Sequence, residues 1–127
     1  MTQNEKDLML KDLCARLPYG VKGLVTFNGN PSTPKIQEDR TIDGKLYDRF
    51  AKFQESWYDN VTIKPYLFPL SSMTEEQNIE YGNLCERYCP ASIYSMEIID
   101  WLNKNHFDYR GLIEKGLAID ATDKNIY

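Results

Sequence analysis

Residues 64–77, Lys-Pro-Tyr-Leu-Phe-Pro-Leu-Ser-Ser-Met-Thr-Glu-Glu-Gln, constrain the fold of this chain more than any other stretch. Pro65 and Pro69 each remove an amide donor, so the apolar connector 65–70 cannot be helical throughout. Thr74 then offers its hydroxyl to the amide of Gln77, and the Gln77 side chain can reach back, which is a capping box. Glu75 and Glu76 complement the positive end of the helix that follows. A helix therefore starts at residue 74 or 75, and whatever precedes the prolines folds by other rules.

Upstream, residues 4–17 place Leu10, Leu13, Cys14 and Leu17 at i, i+3, i+4 and i+7, one apolar helical stripe. Lys6, Asp7, Lys11 and Arg16 are then candidates for the solvent face, and Pro18-Tyr19-Gly20 stops the helix. Residues 21–27 read as a strand with Val25 and Phe27 on one face and Leu24 on the other. The run Asn28-Gly29-Asn30-Pro31-Ser32-Thr33-Pro34 is a turn cluster. Asp43-Gly44 is a second turn signal, dividing 35–42 from 45–53 as in a hairpin. Leu46, Phe50, Phe53 and Trp57 also fit a helical stripe, but the Asp-Gly turn and the neighbouring β-type segments favour strands. Residues 60–63 form another strand, ending where Pro65 removes a ladder donor.

Downstream, Ile79, Leu84, Cys85 and Tyr88 can face inward from the capped helix. Residues 92–105 form another helix that offers Met96, Ile99 and Leu102 to the core, with Trp101 beside them. Asp108 can cap a last short helix over 108–115, with Leu112 and Ile113 packing and Gly116 ending it. Residues 117–127 are a tail, with 119–127 loosely held. The expected fold is α+β: an N-terminal helix (1–17), a β-rich part (21–66) forming a small antiparallel meander or SH3-like barrel, and two to three C-terminal helices (74–116). At 127 residues, without repeats or a long linker, the chain is expected to be a single domain.

Three stretches together resemble a known group. They are Lys11-Asp12-Leu13-Cys14-Ala15-Arg16-Leu17-Pro18-Tyr19-Gly20-Val21, residues 64–76, and the run from Asp100-Trp101-Leu102 through Asn105-His106-Phe107-Asp108 to Gly111-Leu112-Ile113. The chain is similar there to a family of short proteins encoded by prophages and mobile elements of gut anaerobic bacteria, with 28–59 the poorly matched part. The resemblance implies a cytoplasmic protein of a bacterium or its phage. It brings no activity and no catalytic residues.

Composition excludes several function classes. Fifteen Lys and Arg against nineteen Asp and Glu leave a net charge of −4, which does not suit a basic nucleic-acid-binding tail. No apolar run is long enough for a transmembrane helix or a secretory signal. Three cysteines, Cys14, Cys85 and Cys89, are an odd, dispersed set, expected as reduced thiols behaving as small hydrophobes. With His106, the only histidine, they lack the Cys-x2-Cys knuckle of a zinc site. Nothing in the sequence brings a nucleophile to His106, whose simplest role is a turn or helix-end contact. No glycine-rich phosphate loop is present. No cofactor and no catalytic residue is assigned.

Charge distribution is more informative. Between Thr74 and Asp100 stand six acids (Glu75, Glu76, Glu80, Glu86, Glu97, Asp100) and one base, Arg87, a net of −5. The rest of the chain sums to +1, so the acidity belongs to two consecutive helices. Such a face repels phosphate and attracts a basic protein partner, though a merely solvated helical face has the same pattern. Tyr47, Arg49, Phe50, Lys52, Phe53 and Trp57 interleave rings and bases and could serve a nucleic-acid-binding β surface. Asp48, Glu55 and Asp59 cancel the local charge, and a small core needs those rings. The leading expectation is a non-enzymatic accessory protein that binds another protein, of unspecified identity. The alternative is a small nucleic-acid-binding module.

Overall fold

The computed structural model describes residues 2–29, 32, 34–52, 60–88 (backbone only at 87 and 88) and 96–127. Among these residues the fold is mixed α+β, with four helices and an open five-stranded sheet. The expected class and N-terminal helix are present. The sheet order, β2-β1-β3-β4 with β5 also on β3, is neither a meander nor a closed barrel.

Helix α1 (Gln3–Arg16) starts on a capping box: Thr2 accepts from the Glu5 amide at 3.1 Å, and Glu5 accepts from the Thr2 amide at 2.9 Å. Its buried stripe is Met9, Asp12, Leu13 and Arg16, again at i, i+3, i+4 and i+7. The expected stripe shares Leu13 with it but is rotated by one residue. Cys14 is consequently exposed, and Arg16, expected in solvent, is fully buried.

Strand β1 (Lys22–Asn28) is antiparallel to both β2 (Ile36–Thr41) and β3 (Asn60–Pro69). Gly23 is opposite Pro65, and a β-carbon at Gly23 would lie 3.0 Å from the Lys64 carbonyl oxygen and 3.2 Å from the Pro65 α-carbon. Glycine is what lets these strands approach so closely. Strand β3 does not end at Pro65 as expected. The ladder with β1 finishes at that residue, and from Tyr66 onward β3 takes new parallel partners, β5 (Ile119–Asp120) and β4 (Phe107–Asp108). The proline thus marks a change of neighbour, where a missing donor is tolerable.

The hairpin expected around Asp43-Gly44 is replaced by helix α2 (Gly44–Ala51). Asp43 is its N-cap, accepting from the Leu46 amide at 2.8 Å, and Leu46 and Phe50 point into the core. An Asp-Gly pair suits a turn or a helix start, and the i, i+4 apolar pair decides for the helix. Phe53 and Trp57, the other members of that stripe, lie outside the described residues.

Helix α3 (Glu75–Tyr88) carries the expected capping box: Thr74 Oγ1 accepts from the Gln77 amide at 3.1 Å, and Gln77 Oε1 from the Thr74 amide at 2.9 Å. Leu84 and Cys85 pack inward, whereas Ile79 is 59% exposed; the Tyr88 side chain lies outside what is described. In α4 (Met96–Lys104) the buried apolar residues are Ile98 and Leu102, and Met96, expected in the core, is 77% exposed. After β4 the Asp108 carboxylate accepts from the amides of Arg110, Leu112 and Ile113 at 3.2, 3.0 and 2.9 Å. This is cap chemistry without the expected helix, because Gly111 adopts φ +73° and turns the chain out of helical geometry. Residues 119–127 are also better anchored than expected. Beyond β5, Ala121 is buried, and the Tyr127 hydroxyl accepts from the Lys22 amide at 2.8 Å and donates to the Tyr66 carbonyl at 2.9 Å.

Two apolar clusters result. One gathers α1, β1, α2 and β3 around Met9, Leu13, Val25, Phe50 and Ile63. The other joins α3 and α4 to β4 through Ile98, Leu102, Phe107, Leu84 and Trp101.

Candidate functional site

Glu75, Glu76, Glu80 and Glu86 on α3, with Glu97 and Asp100 on α4, are all exposed. The amphipathic pattern explains this: each helix buries its apolar side in the second cluster and leaves its acids outward. Where the two helices meet, the Trp101 indole N–H donates to Glu80 Oε2 at 3.0 Å. Its ring is stacked with Tyr81 (centroids 5.7 Å apart, planes at 26°) and with Phe107 (5.7 Å, 19°). Beside it runs a shallow groove of about 250 Å³, lined by Glu80, Asn83, Leu84 and Trp101. The arrangement offers a fixed aromatic wall, an aliphatic floor and a carboxylate rim. A held ring, an aliphatic floor and a carboxylate already hydrogen-bonded to the indole are features suited to binding.

Of the aromatic and basic residues Tyr47, Arg49, Phe50, Lys52, Phe53 and Trp57, the first four are described and the last two lie outside the described residues. Tyr47 is half-buried, Phe50 is buried, and Arg49 and Lys52 are exposed on α2, which is a helix rather than a strand. The Lys52 ammonium pairs with Asp48 at 3.0 Å, and the Arg49 guanidinium lies 5.7 Å from the centre of the Phe27 ring. Among the described residues of this group, the rings are buried or half-buried while the cations are exposed.

A buried polar centre lies between α1 and the segment after α4, outside the residues singled out from the sequence as site candidates. Asp12, fully buried, accepts from Arg16 Nε at 2.9 Å and from Arg110 Nε at 3.1 Å. Arg16 Nη2 also donates to the Phe107 carbonyl, and Tyr109 receives both guanidinium groups against its ring, at 5.4 Å and 4.8 Å. Nearby, His106 ends α4 at φ +62° and stacks on Tyr127 with centroids 3.8 Å apart and planes at 10°. Burial, reinforced by the Arg16 and Lys22 cations, pushes its imidazole down from 6.5 to about 4. Burial pushes the Tyr127 phenol up to about 12. His106 is thus a neutral helix-end residue at ordinary pH, as its position between elements suggested. The signal that could have exposed this centre is the spacing Met9-Asp12-Leu13-Arg16, an Asp-Arg pair at i, i+4 on an apolar stripe.

Among the described residues, no group of three or more His, Cys, Asp and Glu is placed to hold a metal ion. Cys14 and Cys85 are free thiols, and Cys89 lies outside the described residues. No described helix is long and apolar enough to cross a membrane. No protein-family model, curated protein or solved structure matches this chain.

Proposed function

We propose that this chain is a non-enzymatic accessory protein that acts by binding another protein through the acidic face of α3 and α4. The observation that carries the reading is the exposure of all six acids on two helices that meet at an apolar groove. A solvated helical face needs no groove, and a phosphate-binding face would not be lined with carboxylates. The bacterial or phage context implied by the resemblance fits a small accessory role. The nucleic-acid alternative finds no comparable support, because Phe50 is in the core and Lys52 is paired with Asp48.

The test compares the tagged chain with a variant carrying Lys at positions 75, 76, 80, 86, 97 and 100. Proteins captured from cells of the source organism should be lost from the variant while its circular dichroism stays that of the folded chain. An unchanged set of captured proteins would refute the acidic-face reading. A salt-sensitive shift of single-stranded or duplex nucleic acid by the unaltered chain would favour the alternative.

A further inference from the structure

The groove beside Trp101 says more than that a protein binds here. Trp101 cannot swing freely, since its indole N–H is tied to Glu80 and its ring is stacked with Tyr81 and Phe107. A rigid, partly exposed tryptophan is the kind of anchor on which binding energy concentrates, because little side-chain entropy remains to be lost. Next to it, Leu84 supplies an aliphatic floor. Ile79 and Met96 leave further apolar surface exposed on the same two helices.

The rim sets the charge of the occupant. Glu80 lines the groove itself. Glu76 precedes Glu80 by one turn of α3, and Glu97 precedes Trp101 by one turn of α4, so each shares a helical face with a residue that lines the groove. Apolar surface flanked by carboxylates from both helices complements an apolar stripe flanked by cations. Backbone chemistry selects the occupant's conformation. Two helices present side chains rather than the unpaired amides and carbonyls of a sheet edge, so an extended peptide laid here would leave its own backbone unmatched. A helix satisfies its backbone internally and projects i, i+3, i+4 side chains into a groove.

We infer that the α3–α4 groove takes a basic amphipathic helix of a partner protein, with an apolar side chain of that helix seated between Trp101 and Leu84. This rests on the protein-binding reading above and narrows it to one class of partner.

The probe is a synthetic peptide of Leu and Lys, two heptads long, ordered as an amphipathic helix and carrying a fluorophore. Its control has the same residues in an order without helical periodicity. Binding to the full chain is read by peptide anisotropy. In a Trp57→Phe background it is also read by the emission of Trp101, then the only tryptophan. The helical peptide should bind, gain helicity on binding, move the Trp101 emission and weaken as salt rises. Asn83→Phe, which fills the groove from an exposed position, and the pair Glu80→Lys with Glu97→Lys should each weaken it roughly tenfold or more. If the control peptide binds as tightly and Trp101 emission stays still, the face binds cations by charge alone; the groove inference then falls while the protein-binding reading stands. If neither peptide binds at low ionic strength, both fall. If the chain self-associates in sedimentation and Asn83→Phe abolishes that, a second copy is the occupant and the basic-helix inference is overturned. Should Trp57→Phe fail to fold, anisotropy with the unaltered chain gives the same decision.

Discussion

Replacing Asp12 by Ala removes the one acceptor shared by Arg16 and Arg110, and its cost can be worked from the geometry. Asp12 and Arg16 are both fully buried, so Arg16 keeps a charge that water cannot reach, with the Phe107 carbonyl as its remaining acceptor among these contacts. Breaking a buried pair on one side costs about 3–5 kcal/mol, because the stranded charge bears its full desolvation. Arg110 contributes little to the loss, since its side chain is 20% exposed and can hydrate. For a chain of this length that corresponds to a drop in melting temperature of about 10–20 °C. The same argument makes the double replacement Asp12→Leu with Arg16→Met much milder than Asp12→Ala, because neither charge then remains buried. An internal control comes from the exposed pair Lys52–Asp48, 71% and 61% exposed, where Asp48→Ala should stay within about 0.5 kcal/mol. Urea unfolding followed by far-ultraviolet circular dichroism reads all three. Equal, small losses for Asp12→Ala and Asp48→Ala would refute the claim that burial governs the strength of this centre.

Acid should destabilise the fold through His106. Its folded pKa of about 4 lies below the ordinary 6.5, so between those values the unfolded chain binds the extra proton. Stability from this group is full above pH 6.5, falls by up to about 1.4 kcal/mol per pH unit on acidification, and levels off below pH 4. His106→Asn, which tolerates the positive φ, should flatten the slope between pH 6.5 and 4.5; an unchanged slope would assign it to other groups. Gly23→Ala should lower the urea midpoint by an amount equivalent to about 1–3 kcal/mol, because its β-carbon meets strand backbone rather than a movable side-chain tip; an unchanged midpoint would mean that β1 and β3 can part without cost. Tyr127→Phe should cost about 1–2 kcal/mol and speed hydrogen exchange at the Lys22 amide, which loses its acceptor; unaltered exchange there would show that residues 119–127 are held without this hydroxyl.

What could be read from the sequence is what neighbouring residues decide among themselves. The Thr74–Gln77 capping box and the exposure of the six acids need only the i, i+3 hydrogen bond and the helical period, and both are present. The Asp43 cap was equally local, and the Leu46–Phe50 pair was in view. In the fold that apolar pair outweighs the Asp-Gly turn signal. The Trp101 groove was half legible: its carboxylate and its tryptophan stood on predicted helices, but their contact depends on how two helices separated by seven residues outside the described set meet.

Other features depended on the tertiary structure. Arg16 is charged and near a helix end, which argues for solvent until Phe107, 91 residues away, is found to accept from it. Strand β3 passes through Pro65 only because its neighbours change there, from β1 to β5 and β4. Residues 119–127 are ordered by Lys22 and Tyr66, contacts that span 105 and 61 positions. Sequence alone determined the capped start of α3 and where charge collects, because those follow from interactions within one or two turns. Which side of α1 is buried, how far β3 runs and what the groove joins were decided by the tertiary structure, since burial and strand pairing are properties of surfaces brought together from distant parts of the chain.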